Sequence, residues 1–210
     1  SRPRQSGIIA INIREGDELL QAKLTNGRNE IMIALKSGRA IRFNEDDVRH
    51  TGRISQGVKG ITLDDDDYVI SMEVVKKDEE GHLLTVTENG YGKRTALDEY
   101  RPQNRGGRGV RTYKITEKTG DIAGARIVKD DDDILLVNTD GTVIRLNVSE
   151  ISVMSRSTQG VTLMRIDEDS KIVGLAIVEK RDDEDEENYV GNEEENYENN
   201  EDNIHDLHKF

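Results

Sequence analysis

One glycine returns four times along this chain, at Gly7, Gly57, Gly109 and Gly160, with spacings of 50, 52 and 51 residues, and nothing else in the sequence restricts the fold as much. A β-branched residue follows each copy directly. In three copies an arginine stands four residues earlier: Arg53, Arg105 and Arg156. Self-similarity at a fixed period marks a repeat architecture, in which each unit buries its apolar surface against its neighbours.

Within each period the apolar residues alternate, as Ile11 and Ile13, Ile61 and Leu63, Tyr113 and Ile115, Met164 and Ile166. Period-two alternation predicts a half-buried strand. An acidic turn recurs next, at Glu15-Gly16-Asp17, Asp64 to Asp67, Thr119-Gly120-Asp121 and Asp167-Glu168-Asp169. A second apolar run follows, at Leu19–Leu24, Tyr68–Val75, Ile122–Val128 and Ile172–Val178. Three copies add a third run, Ile31–Leu35, Leu83–Thr87 and Ile134–Asn138, closed by Ser37-Gly38, Asn89-Gly90 and Asp140-Gly141, which are pairs suited to a hairpin turn. A fourth strand is predicted at Ile41-Arg42-Phe43, Lys93-Arg94-Thr95 and Ile144-Arg145-Leu146. Four short strands per fifty residues predict an all-β, propeller-like fold, with blades at residues 1–50, 51–101, 102–153 and 154–180, the last represented by its first two strands.

The net charge of −13 argues against a nucleic-acid partner only until it is divided along the chain. Residues 181–210 hold 13 acids against Arg181 and Lys209, leaving residues 1–180 with 30 acids and 28 bases. This acidic segment has little apolar content and is predicted to be a disordered tail, able as a tethered polyanion to compete with DNA or simply to solubilise the chain. The chain has no cysteine, no apolar run long enough for a membrane span and no apolar signal core after Ser1, so it reads as soluble and intracellular. The missing initiating Met reads as a fragment of a longer protein.

Two series of arginines recur without being needed for the strands. Arg42, Arg94 and Arg145 each stand four residues after a hairpin glycine, and the apolar neighbours of Arg42 and Arg145 predict outward guanidiniums. Such a row is a track for a phosphate backbone or a set of structural ion pairs, because Asp47, Glu99 and Glu150 follow five residues later. The stretch from Gln103 to Gly109 places Arg105 and Arg108 among three glycines, and Arg111 follows; glycine lets backbone amides approach an anion that arginine grips. Asp64–Asp67 and Asp130–Asp133 lack the spaced ligands of a calcium loop. His50, His82, His205 and His208 do not recur with the repeat, and no metal site, phosphate-binding P-loop or catalytic triad is legible.

The Arg-x-x-x-Gly-Val segments, with Glu88–Thr95 and Ser155–Val161, resemble the C-terminal domains of bacterial DNA gyrase A-type chains from about residue 5 to residue 180. The resemblance implies a β-pinwheel, a disc of four-stranded blades that exchange strands, which wraps double-stranded DNA on a basic rim. It implies that the catalytic tyrosine lies upstream and that this chain performs no catalysis. ATP and magnesium would belong to the holoenzyme, an A2B2 heterotetramer with the gyrase B protein in the cytoplasm. The family's Gln-Arg-Arg-Gly-Gly-Lys-Gly box is approached by Gln103–Gly109, with Asn104 and Arg108 departing from it; its position marks a later, degenerate copy. The equivalent domain of topoisomerase IV is the near alternative, and a propeller used as a protein platform, its arginines tying blade to blade, is the more distant one. The expected DNA-contacting residues are Arg39, Arg42, Arg53, Lys59, Lys93, Arg94, Arg105, Arg108, Arg111, Arg145 and Arg156.

Overall fold

The computed structural model describes residues 8–53, 55–77 and 80–178. The acidic tail lies outside the described residues, as does Gly7. Among the described residues there are eleven strands, three one-turn 3-10 segments and no α-helix. The strands are β1 (Glu30–Leu35), β2 (Arg39–Asn44), β3 (Val69–Val75), β4 (His82–Thr87), β5 (Tyr91–Ala96), β6 (Val110–Arg111), β7 (Ile122–Val128), β8 (Asp133–Asn138), β9 (Val143–Asn147), β10 (Val161–Thr162) and β11 (Ile172–Val178).

Three antiparallel hairpins form where the third and fourth runs were expected: β1–β2, β4–β5 and β8–β9. Their turns work as the residue types predict. Gly38, Gly90 and Gly141 adopt φ of 76°, 78° and 78°, a region that a side chain disfavours, and each amide donates to the carbonyl three residues earlier. Each hairpin is then completed by strands of later repeats. The sheet orders are β3-β1-β2-β6, β10-β5-β4-β7 and β11-β8-β9. A sheet therefore takes two strands from one repeat, one from the next and, in the first two sheets, a two-residue strand from the repeat after that.

The shared glycine explains how that last strand seats. Gly109 and Gly160 have φ of 66° and 73° and lie against the carbonyls of Ala40 and Gly92, so that a Cβ on Gly160 would stand 2.5 Å from the Gly92 oxygen. Gly57 adopts the same conformation, φ 77°, with open space around it. Its segment and the alternating residues Ile8 to Leu24 form no strands among the described residues. The strands after Gly109 and Gly160 end at Arg111 and Thr162, before Tyr113/Ile115 and Met164/Ile166, which corrects the expected first strand of every repeat and the expected second strand of the first. Ile8, Ile11, Ile13, Leu19 and Leu24 are exposed, because no sheet among the described residues receives them.

The sheets stack face to face, with a core between each pair. Met32, Ala34 and Ala40 of the first sheet meet Leu83, Leu97, Tyr100 and Ala125. Leu84 and Val86 of the second meet Ile134, Leu136 and Ile172 of the third, with Met164 from the segment after β10. The outer face of the first sheet is Ile31, Ile33, Leu35, Ile41 and Phe43 under Ile61. Alternate residues of β1 and β4 thus enter different cores, and each fully buried Leu or Ile contributes about 1.5–3 kcal/mol.

Candidate nucleic-acid interface

Stacking overturns the expected outward guanidinium at Arg42, encloses Arg94, and leaves Arg145 outward. Arg94, 5 % exposed, lies opposite Leu84 and points into the interface with the third sheet. Its Nε donates to the Ile151 carbonyl at 2.7 Å, Nη2 donates to the Ser149 carbonyl at 3.2 Å, and Nη1 pairs with Asp130. Arg42 does the same one sheet earlier. It donates to Glu30 at 2.5 Å and to the Leu97 and Tyr100 carbonyls at 2.7 and 3.4 Å. Both guanidiniums tie a sheet to the 3-10 turn that follows the next hairpin. Arg145 keeps its carboxylate, Asp133, at 2.8 Å, yet its side chain is 60 % exposed because among the described residues no further sheet stacks on this face. The acids five residues later are not the partners. Those lie twelve residues earlier, at Glu30 and Asp133, diagonal across the hairpin; in the second sheet that position is His82, and Asp130 replaces it.

Four further expected residues hold the loops that run along the outer edges of the first two sheets. Arg39 donates to the carbonyls of Arg108 and Gly109 at 2.9 and 3.0 Å. Arg105 donates to the carbonyls of Asp47 and Lys59. Arg156 lies over the Tyr100 ring and 3.7 Å from Glu99. Lys93 is wholly buried, with its ammonium on the carbonyls of Ser155 and Arg156.

What remains exposed is a different set. Arg53, Lys59 and Arg111 have side chains that make no hydrogen bond or ion pair among the described residues, while Arg108 has a single exposed pair with Asp64 at 3.3 Å. Lys114, Arg165 and Arg101 are exposed and unpaired in the same way, and the sequence reading missed them. The signal was present. Lys114 and Arg165 each stand five residues after a shared glycine, between the inward pairs Tyr113/Ile115 and Met164/Ile166, so alternation sends them outward.

Lys59, Arg108, Arg111, Lys114 and Arg165 occupy adjoining segments. The Gly106 amide donates to the Gly60 carbonyl at 2.8 Å, the Thr62 amide to the Gly107 carbonyl at 2.9 Å, and the Lys114 amide to the Thr158 carbonyl at 3.1 Å. Segments 59–62, 103–114 and 154–165 therefore run side by side, and β6 and β10, the outermost strands of their sheets, lie within them. The result is a connected surface with unpaired cations. A cleft of about 540 Å³ beside it is open and lined by Asp98, Glu99, Arg101, Gln103, Val110 and Arg156, a mixed-charge set unsuited to an apolar ligand. Among the described residues no group of acids and histidines could hold a metal ion.

A family model described as the DNA gyrase C-terminal domain, beta-propeller, matches residues 3–26, 29–76, 81–129 and 132–179. The last three segments each open on a hairpin, in the phase of the sheets rather than of the shared glycine. The gyrase A protein of Salmonella typhimurium is 49 % identical over 186 residues, covering 88 % of this chain and 21 % of that protein. Its Staphylococcus aureus counterpart is 43 % identical over 188 residues, covering 90 % and 21 %. The chain thus spans about a fifth of the length of these relatives. A solved DNA gyrase A C-terminal domain superposes with a TM-score of 0.76 at 30 % identity, covering 83 % of this chain and 59 % of that one. The C-terminal domain of DNA topoisomerase IV gives 0.79 at 26 % identity, covering 85 % and 55 %. With four consecutive matches spanning the stacked sheets, the chain belongs to the DNA gyrase C-terminal domain family.

Proposed function

We propose that this chain wraps duplex DNA along the edge surface formed by segments 59–62, 103–114 and 154–165. The observation that carries the reading is the recurrence of exposed, unpaired cations there: Lys59, Arg111, Lys114 and Arg165. Four cations on rigid, mutually bonded segments suit a phosphate backbone, which rewards positive charge and needs no base readout. Bending stiff duplex costs on the order of 1–6 kcal/mol per 20–30 bp, so contacts from more than one sheet must act together. Arg42 and Arg94 serve the reading indirectly, by fixing each sheet on the next.

In the complete protein the wrapped segment would be presented to the strand-passage machinery for ATP-dependent negative supercoiling, in a cytoplasmic A2B2 assembly with the gyrase B protein. ATP and magnesium would act there and not on this chain. The test is the salt dependence of duplex binding. With four to six phosphates neutralised, log K falls with log salt at a slope of about −4 to −5. Changing Lys59, Arg111, Lys114 and Arg165 together to Glu removes most of that slope; a flat salt dependence in the unaltered chain overturns the proposal.

A further inference from the structure

The second sheet carries an ammonium where its neighbours carry an alkyl chain. Three residues after the hairpin glycines stand Ile41, Lys93 and Ile144. Ile41 is fully buried beneath the Gln103–Gly109 loop, with its Cδ1 close under Gly107. Lys93 is equally buried beneath the corresponding loop. Its Nζ donates to the Ser155 carbonyl at 2.5 Å, the Arg156 carbonyl at 2.7 Å and Thr158 Oγ1 at 3.0 Å, and it lies 5.2 Å from the centre of the Tyr113 ring. Thr158 Oγ1 in turn donates to the Ser155 carbonyl at 2.9 Å. The set is closed: an ammonium has three N–H donors, and three oxygens of one loop accept them.

From this geometry we infer that Lys93 is a positioning residue, an internal cation that holds residues 155–160 in the conformation on which Lys114, whose amide donates to the Thr158 carbonyl, is presented to a phosphate. The inference rests on the DNA reading above. Without Lys93 the Arg156 carbonyl turns toward water and the Ser155 carbonyl keeps only Thr158 Oγ1. The Tyr113 hydroxyl donates to the Gln159 carbonyl from the same side, so the loop is gripped at its start and at its end.

The hold depends on the proton. A neutral amine has two N–H donors, so one of the three acceptors is lost, or Thr158 must turn its hydroxyl from Ser155 to the nitrogen. Burial lowers the Lys93 ammonium to about 8. Of the charged groups that face it, Glu99 favours the ammonium and Arg156 opposes it. Burial raises the phenols of Tyr113 and Tyr100, which stay neutral throughout this range. An opened loop would return Lys93 to its ordinary value of 10.5, so opening takes up a proton and grows rarer as the pH rises from about 8 toward 10.5.

The experiment is done on the complete chain, between pH 6.5 and 9.5. The Lys93 Nζ resonance titrates with a midpoint near 8, and a midpoint at the ordinary lysine value of 10.5 overturns the inference. Amide exchange at residues 155–160, corrected for base catalysis, slows about tenfold between pH 8 and 9.5. Lys93→Met leaves those amides fast at every pH and lowers the salt slope of duplex binding by about one at pH 7, the loss of one phosphate contact. Unchanged protection in Lys93→Met overturns the inference; if that variant does not fold, the unaltered chain's resonance and exchange profile decide alone. A chain that shows the exchange step yet binds no duplex at low salt overturns the DNA reading and upholds the hold on the loop.

Discussion

The second and third sheets are built from the same repeat and are finished differently. In the second, β10 pairs along the outer edge of β5, which is buried at four of its six positions. Among the described residues no segment lies along the outer edge of β9, which has no fully buried position. Gly90 is wedged against the backbone of Met164, whereas Gly141, with the same φ, meets nothing within 4 Å. Arg94 is enclosed by carbonyls and Arg145 is open to solvent. Equal local sequence thus acquires its energetic weight from what stacks upon it, as expected where stability resides in contacts between units.

Substitution of the hairpin glycines should split the two sheets most widely. At Gly90 a Cβ would overlap the Met164 carbonyl, so Gly90→Ala combines left-handed strain with overpacking and costs about 4 kcal/mol. Gly141→Ala carries the strain alone, about 1 kcal/mol. Urea denaturation midpoints measure both, and equal midpoints would erase the distinction. Arginine deletion comes next. Arg94→Met leaves the Ile151 and Ser149 carbonyls without their donor, at about 3 kcal/mol, while Arg145→Met loses a pair whose guanidinium is exposed and whose carboxylate keeps the Asn147 amide, at about 1 kcal/mol.

A further expected difference concerns pH. The third sheet has Ile144 where the second has Lys93. Burial holds Lys93 at about 8 in the folded chain, against 10.5 when exposed on unfolding. Between those values the unfolded chain binds the extra proton, so stability rises with pH by at most about 1.4 kcal/mol per unit from this group. Lys93→Ile, which copies the neighbouring sheets, removes the slope; thermal melts at pH 8, 9 and 10 show it.

Much of this fold is written locally. The hairpins, their glycines and the all-β character follow from alternation and turn chemistry at Ser37-Gly38, Asn89-Gly90 and Asp140-Gly141. Strand exchange is not, because a fixed period is the same whether β6 completes its own repeat's sheet or one two repeats back. The misread arginines have a related cause. Alternation separates inside from outside only when one face of a strand is wet, and β5 is covered on both faces. Where one face does stay wet, at Lys114 and Arg165, the same rule points outward correctly. The ion-pair partners at Glu30 and Asp133 were legible in principle, since a three-residue hairpin loop fixes the cross-strand register.

Because each of the first two sheets draws on three repeats, neither can finish as the chain is made in the order its residues appear. The hairpin β1–β2 is complete at residue 44, but its outermost partner ends at Arg111; β4–β5 is complete at residue 96 and waits for Thr162. Long loops must close before either edge is sealed, which slows folding and leaves two strand edges bare in the nascent chain. The same interlocking acts on heredity. Deleting a single fifty-residue period leaves an edge in one sheet and a gap in another, so gain or loss of a unit in this family requires two neighbouring sheets to accept new partners at once.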